Sequence, residues 1–368
     1  MTKQEIILNF DPSQPGLADA TIFGLPFSAE QSEIIVIPVP WEVTVSYGAG
    51  ASNGPAAVFD ASFQVDLCHQ DFPELYKLGI YYDEAPEYFK INSDAYKALA
   101  QPIIKALESG EDLANHPSLQ ANLQTINKAC RDLHTEVKER ALYWMNQGKK
   151  VILLGGDHST PLGYYEALAT QHESFGILHL DAHMDLRIAY EGFTYSHASI
   201  MYNALKISNI SKIVQVGIRD FCAQEVENVF AENGRVIVHT DADLKAATFE
   251  GITWKQQCDK IISELPDKVA ISFDIDGLYS WYCPNTGTPV QGGFSFEQAT
   301  YLFNKLANSG KQIIGIDLVE VAPGEHDHWD GNVGARMLFH LCGIFAKNNG
   351  LPVGERINFE MASGFGNR

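Results

Sequence analysis

Seven short runs of apolar, mostly β-branched residues recur along the chain: EIIVIPVP (33–40), KVILLGG (150–156), FGILHLD (175–181), KIVQVGI (212–218), RVIVHTD (235–241), KVAISFDID (268–276) and QIIGIDLVEV (312–321). Each is apolar nearly throughout rather than alternating, the pattern of strands buried on both faces of a parallel sheet. Helix-like segments lie between them. The clearest is 119–148, where Leu123, Ile126, Cys130, Leu133, Val137 and Trp144 share one stripe and Gly148 supplies a stop signal. Strands alternating with helices predict a three-layer α/β/α domain with a mostly parallel central sheet. We expect one catalytic domain over 31–350, with an N-terminal arm over 1–30 and a C-terminal tail over 351–368. A helical excursion over 84–118, carrying Pro102, interrupts it.

The formal charge of −20 leaves nothing to neutralise phosphates, which argues against a nucleic-acid partner. It is compatible with a cationic substrate. No apolar run approaches the roughly 20 residues that a membrane span needs. The segment MTKQEIILNFDPSQPG lacks the apolar stretch of a signal peptide, and the six cysteines are scattered without a C-x-x-C pair. A cytoplasmic protein with reduced thiols is expected.

The chemistry-bearing residues sit where apolar runs end. Asp157 and His158 follow one run, Asp181, His183 and Asp185 another, and Asp274 and Asp276 a third. In open α/β sheets, sites form beyond the carboxyl ends of the strands, so these clusters can converge. Extended geometry would point residues two apart to the same side. His158, Asp181, His183, Asp185, Asp274 and Asp276 then offer two imidazoles and four carboxylates. Four facing carboxylates are too costly to gather without cations, and two divalent ions would balance them. Oxygen-dominated ligation suits Mn²⁺ better than Zn²⁺. His179 shares strand parity with Asp181 but precedes the strand end, so it reads as a satisfied core histidine. GEHDHWDG (324–331) reads as a solvated loop near the pocket rim.

At this point the sequence resembles the ureohydrolase family of arginases and agmatinases. GGDHS (155–159), DAHMD (181–185) and SFDIDGLYSWYCPNTGTP (272–289) match its three signature regions in order. YGAGASNGPAAV (47–58) and GIDLVEVAPG (315–324) add to the likeness, which covers roughly 31–347. The resemblance implies an arginase-like fold and a binuclear manganese centre on the same six residues, with Asp181 and Asp274 as bridges. It implies that a hydroxide bridging the ions attacks the guanidinium carbon, that Asp185 orients it and that His197 shuttles protons. It also implies that Glu320 holds the guanidinium. The run from DAHMD to SHA looks most like prokaryotic agmatinases, which implies hydrolysis of agmatine to putrescine and urea. Glu191 is the candidate acid for the substrate ammonium.

The alternatives are arginase, guanidinobutyrase, aminopropylagmatine ureohydrolase and formimidoylglutamase. A carboxylate-bearing substrate would need a cation such as Arg187 at the mouth. A non-catalytic metal-binding relative is the rival of another class, as is a one-zinc deacetylase on the related fold. The chain departs from the family at Tyr279-Ser280, where most relatives have Asp-Pro, and this brings Tyr279, Trp281 and Tyr282 into a loop expected to border the pocket. A homo-oligomer, trimer or hexamer, is expected by analogy.

Overall fold

The computed structural model describes residues 1–17 and 19–359. Eight strands form one sheet: β1 (Ile34–Val39), β2 (Ile80–Tyr82), β3 (Lys150–Gly155), β4 (Phe175–Leu180), β5 (Ile210–Ile218), β6 (Val236–Thr240), β7 (Lys268–Asp274) and β8 (Gln312–Val319). Their order is β2-β1-β3-β8-β7-β4-β5-β6, and every pairing is parallel. Helices cover both faces, giving two apolar layers around the sheet. The three-layer expectation holds, with one strand more than the apolar runs announced. β2 is a three-residue edge strand, too short to show a pattern.

β3 and β4 are consecutive in the chain yet separated in the sheet by β8 and β7. The strand order reverses there, and a crevice opens above the carboxyl ends of the four central strands. This break places the site.

The long helix runs Pro117–Met145, and its expected stripe is buried apart from the half-buried Leu123. The excursion forms one 22-residue helix, Glu87–Glu108, that keeps Pro102 inside it. The expected arm is more than an arm. Its first part is a short helix, Lys3–Asn9, closed by a Thr2–Glu5 capping box, but Ile22, Phe23, Leu25 and Phe27 enter the core. Phe23 adopts a left-handed φ of 62° to set its ring edge-on to Phe339 at 5.1 Å. Of the expected tail, 351–359 leans on 70–74 through Glu74 N–H to the Val353 carbonyl and Ile357 N–H to the Gln70 carbonyl. Residues 360–368 lie outside the described residues. Among the described residues, no helix is long and apolar enough to cross a membrane.

Replacing Phe23 by Ala should cost about 3–5 kcal/mol, the range for emptying a buried aromatic site. Urea unfolding reads this directly, and a loss below about 1 kcal/mol would mean that the segment is not core.

His340 offers a pH test. Burial, then the nearby His69, holds its pKa down at about 4. An unfolded chain takes up this proton near the ordinary 6.5, so the contribution is complete above that pH and drains away as pH falls toward 4. Wild type should lose about 3 kcal/mol more than His340→Leu over that window. Parallel loss in denaturation at pH 7 and pH 4.5 would contradict this.

Candidate active site

Each strand-end loop delivers part of the site. After β3, the Gly156 and Asp157 amides donate to the carbonyls of Val39 and Trp41 at 2.8 and 2.9 Å. A Cβ on Gly156 would strike the Trp41 carbonyl, so only glycine lets the chain lie this close to its neighbour. His158 follows at once, fully buried. β4 ends at Leu180, and residues 181–185 are not strand. Asp185 turns back with a φ of 55°. Asp274 is the last residue of β7, and its carboxylate accepts the Asp276 N–H at 2.9 Å within a tight 3-10 turn. The alternation expected of an extended strand is therefore not what aligns these residues. Turns at the strand ends do so, because a straight strand would carry Asp185 out of the crevice.

The result is dense. His158 Nδ1 lies 3.1 Å from Asp181 Oδ2, 3.1 Å from Asp185 Oδ2 and 3.2 Å from Asp274 Oδ2. His183 Nδ1 lies 3.4 Å from Asp181 Oδ1 and 3.1 Å from Asp276 Oδ2. The donor atoms of His158, His179, Asp181 and Asp185 fall within 4.8 Å of one another, as do those of Asp181, His183 and Asp276. Asp181 belongs to both groups.

None of the four clustered carboxylates is more than 5% exposed. Burial pushes the Asp185 and Asp274 carboxyls up, and neighbouring carboxylates push further in the same direction. Burial opposes charge on His158 too, but hydrogen bonding to Asp181, Asp185 and Asp274 outweighs it and raises its pKa. His183 behaves likewise, lifted to about 12 against burial by Asp276 and Asp181. Two imidazoles cannot neutralise four carboxylates. His158 Nδ1 is buried amid three carboxylate oxygens without an aligned hydrogen bond, and a ring nitrogen converging with carboxylate oxygens is a donor set that a divalent cation can take in place of a proton.

Beneath the ligands runs a polar row that sequence reading missed. Asp317 of β8, Ser272 of β7, His179 of β4 and Gln215 of β5 are cross-strand partners in register, all fully buried. Ser272 Oγ lies 2.9 Å from His158 Nε2 and donates to Asp317 at 2.8 Å, while the Tyr165 hydroxyl donates to Asp317 at 2.9 Å. His179 Nε2 lies 2.7 Å from Asp181, and Gln215 Nε2 donates to His179 Nδ1 at 3.0 Å. His179 is thus satisfied, as its sequence position suggested, and it orients Asp181. A signal existed: each residue is a polar interruption flanked by apolar residues within its strand.

A cavity of about 220 Å³ opens above this cluster. Glu320 lines it with a left-handed φ of 63°. Its Oε1 accepts the His158 N–H at 2.8 Å, and its backbone is pinned by Gly156 and Thr286. Burial, then Asp274 and Asp157, raises its pKa. His197 also lines the cavity, with Nδ1 unpartnered. Burial, then His183 and His158, lowers its pKa to about 4, so it is neutral at pH 7.

Glu191 does not reach the cavity. It occupies the Tyr190–Phe193 turn with a φ of 52°, and Glu108 is close enough to add to the burial that raises its pKa. The turn sends Tyr190 inward instead. Asp220, just past β5, takes a place at the mouth, 4.0 Å from His183 Nε2. The strand-end rule that found the other acids would have found it too. Arg187 also lines the mouth, its guanidinium 4.7 Å over the Tyr190 ring and 4.0 Å from Glu225. The aromatic loop does not border the cavity. Tyr279 and Trp281 stack on each other at 4.3 Å, Trp329 Nε1 donates to the Trp281 carbonyl, and the same loop reaches the cavity only later, at Thr288. His326 and His328 are exposed, and neither joins a group of metal-ligand residues among those described.

The family model described as the arginase family matches residues 32–343. The chain belongs to the arginase family. It is 29% identical to the N(1)-aminopropylagmatine ureohydrolase of Thermus thermophilus, over 86% of this chain and 91% of that one. It is 25% identical to an agmatinase of Bacillus anthracis, over 82% and 88%. The solved agmatine ureohydrolase of Thermoplasma volcanium superposes with a TM-score of 0.67 at 21% identity, covering 94% and 98%, a likeness of fold. As a member of the arginase family, this chain is a hydrolase of carbon–nitrogen bonds in linear amidines.

Replacing Ser272 by Ala removes the hydrogen-bond partner of His158 Nε2. Divalent-cation affinity should fall about 10–100-fold, as when an outer partner of a ligand is lost. Calorimetric Mn²⁺ titration of metal-stripped protein tests this, and an unchanged affinity would rule out the support.

Proposed function

We propose that this arginase-family chain cleaves the guanidinium group of a small cationic substrate, agmatine or its aminopropyl derivative, to urea and an amine. One observation carries the reading: beyond the ligand cluster, the carboxylates of the cavity wall, Glu320, Glu225 and Asp220, outnumber its single cation, Arg187. His158, Asp181, His183, Asp185, Asp274 and Asp276 would hold two Mn²⁺ ions. Oxygen-rich donors with one imidazole for each ion suit that metal. Bound there, such a pair supplies an acidified water and positive charge opposite the developing anion.

The chain's own residues do the rest. Glu320 is desolvated and already tied through one oxygen to the His158 amide, so its other oxygen is free to take guanidinium N–H groups. A substrate cation would repay the cost of ionising it there. Asp185, held in its turn, accepts a hydrogen bond from the attacking water and orients it. His197, neutral and unpartnered at Nδ1, can take up a proton and return it to the departing amine. Thr288 and Ser46 supply hydroxyls at the wall. Water adds to the guanidinium carbon, its carbon–nitrogen bond to the alkyl amine breaks, and the amine leaves with the returned proton.

Arg187 favours a second reading, in which the substrate tail carries a carboxylate, as in 4-guanidinobutanoate, arginine or formimidoylglutamate. Turnover by Mn²⁺-loaded protein across agmatine, aminopropylagmatine and those three compounds separates the two. The first reading expects cationic tails to lead and Arg187→Met to leave or improve their KM. It also expects Glu320→Gln to lower kcat/KM by at least about 100-fold. Preference for carboxylate tails, abolished by Arg187→Met, would establish the second. No turnover of any member with both ions bound would make the chain a non-catalytic relative.

A further inference from the structure

The helix Glu87–Glu108 lies beside the long helix Pro117–Met145, and none of its residues lines the catalytic cavity. Yet Ser93, Lys97 and Gln101, four residues apart on one helical face, all bind the segment that leaves β1. Ser93 Oγ accepts the Glu42 N–H at 2.8 Å and donates to the Glu42 carbonyl at 3.2 Å. The Lys97 ammonium pairs with Glu42 Oε1. Gln101 Nε2 donates to the Val45 carbonyl at 3.5 Å. Glu42 is 1% exposed, and its Oε2 accepts the Gly50 and Ser52 N–H groups at 2.6 and 3.1 Å. Between these anchors lie Ser46 and Tyr47, both at the cavity wall. On the far side, the Gly48 N–H donates to the Gly287 carbonyl at 3.0 Å, next to Thr288 of the same wall.

A buried carboxylate is stable only with its charge answered and its oxygens hydrogen-bonded. Here Lys97 answers the charge, and two loop amides use the other oxygen. If Lys97 is lost, the uncompensated Glu42 carboxylate is drawn toward water, which loosens its hold on Gly50 and Ser52. Tyr47 is 85% exposed, so little besides this loop's backbone sets where its ring stands.

We infer that Glu42 and the Ser93–Lys97–Gln101 stripe are positioning residues. Through them the inserted helix fixes Ser46 and Tyr47 at the cavity mouth and so sets which substrate tails the enzyme accepts. The inference deepens the hydrolase reading and rests on it only for the choice of substrate probe.

The test compares Mn²⁺-loaded wild type, Lys97→Met and Lys97→Arg, using whichever panel substrate wild type turns over best. Lys97→Met should raise KM about tenfold with kcat within about twofold, the split of a lost binding contribution. Amide hydrogen exchange across 43–52 should quicken about tenfold. Bound Mn²⁺ should stay at the wild-type number, and Lys97→Arg should restore most of both effects. Unchanged KM and unchanged exchange would overturn the inference, as would a fall in kcat and metal content at constant KM. If Lys97→Met does not fold, Glu42→Gln combined with Lys97→Met removes both charges and is read by the same criteria. If wild type turns over no panel member, the hydrolase reading fails, and exchange across 43–52 alone decides whether the loop is braced.

Discussion

Carboxylates held 3 Å from one buried imidazole repel one another, and the centre of this protein is arranged around that repulsion. Asp181, Asp185 and Asp274 crowd His158, while Asp181 and Asp276 crowd His183. In water the solvent would screen the same groups from one another. Burial first, and then this repulsion, raises the carboxyl pKa values at Asp185 and Asp274, while attraction to the same carboxylates pushes the histidines toward protonation. A divalent pair relieves this directly, which makes the cluster a place built for cations rather than a tolerated defect.

Holding such groups together requires the sheet beneath them. Strands β8, β7, β4 and β5 each give up an apolar core position to a polar residue, and the pairs Ser272–Asp317 and His179–Gln215 then bond in register while fixing His158 and Asp181 from below. Unpaired polar groups destabilise a core, so each member of the row depends on the partner that the next strand supplies. Above it, Asp185 and Glu320 sit in left-handed backbone conformations that non-glycine residues seldom adopt. Rigid hydrogen bonds on the flanking backbone keep them there.

The ligand set was legible because metal chemistry restricts residue types, and because loops after parallel strands share one side of the sheet. Glu191 and the aromatic loop were misplaced for one reason. Sequence proximity to a motif says which segment is near the site but not which way a turn faces. Two consecutive left-handed residues, Glu191 and Gly192, decide that Tyr190 enters the cavity and Glu191 does not. Asp220 was missed although it obeys the same strand-end rule, since one acid after a strand carries little signal until neighbouring strands show where it points.

By itself the sequence determined the strand-and-helix alternation, the parallel sheet and the six candidate ligands, since apolar periodicity and donor chemistry are local properties. Tertiary structure alone decided the strand order that opens a crevice between β3 and β4. It also decided the cross-strand register that aligns the polar row, and the contact between the inserted helix and the loop at the mouth. Those depend on pairings between residues far apart in the chain. Such pairings are chosen by how whole layers pack, and no local pattern records them.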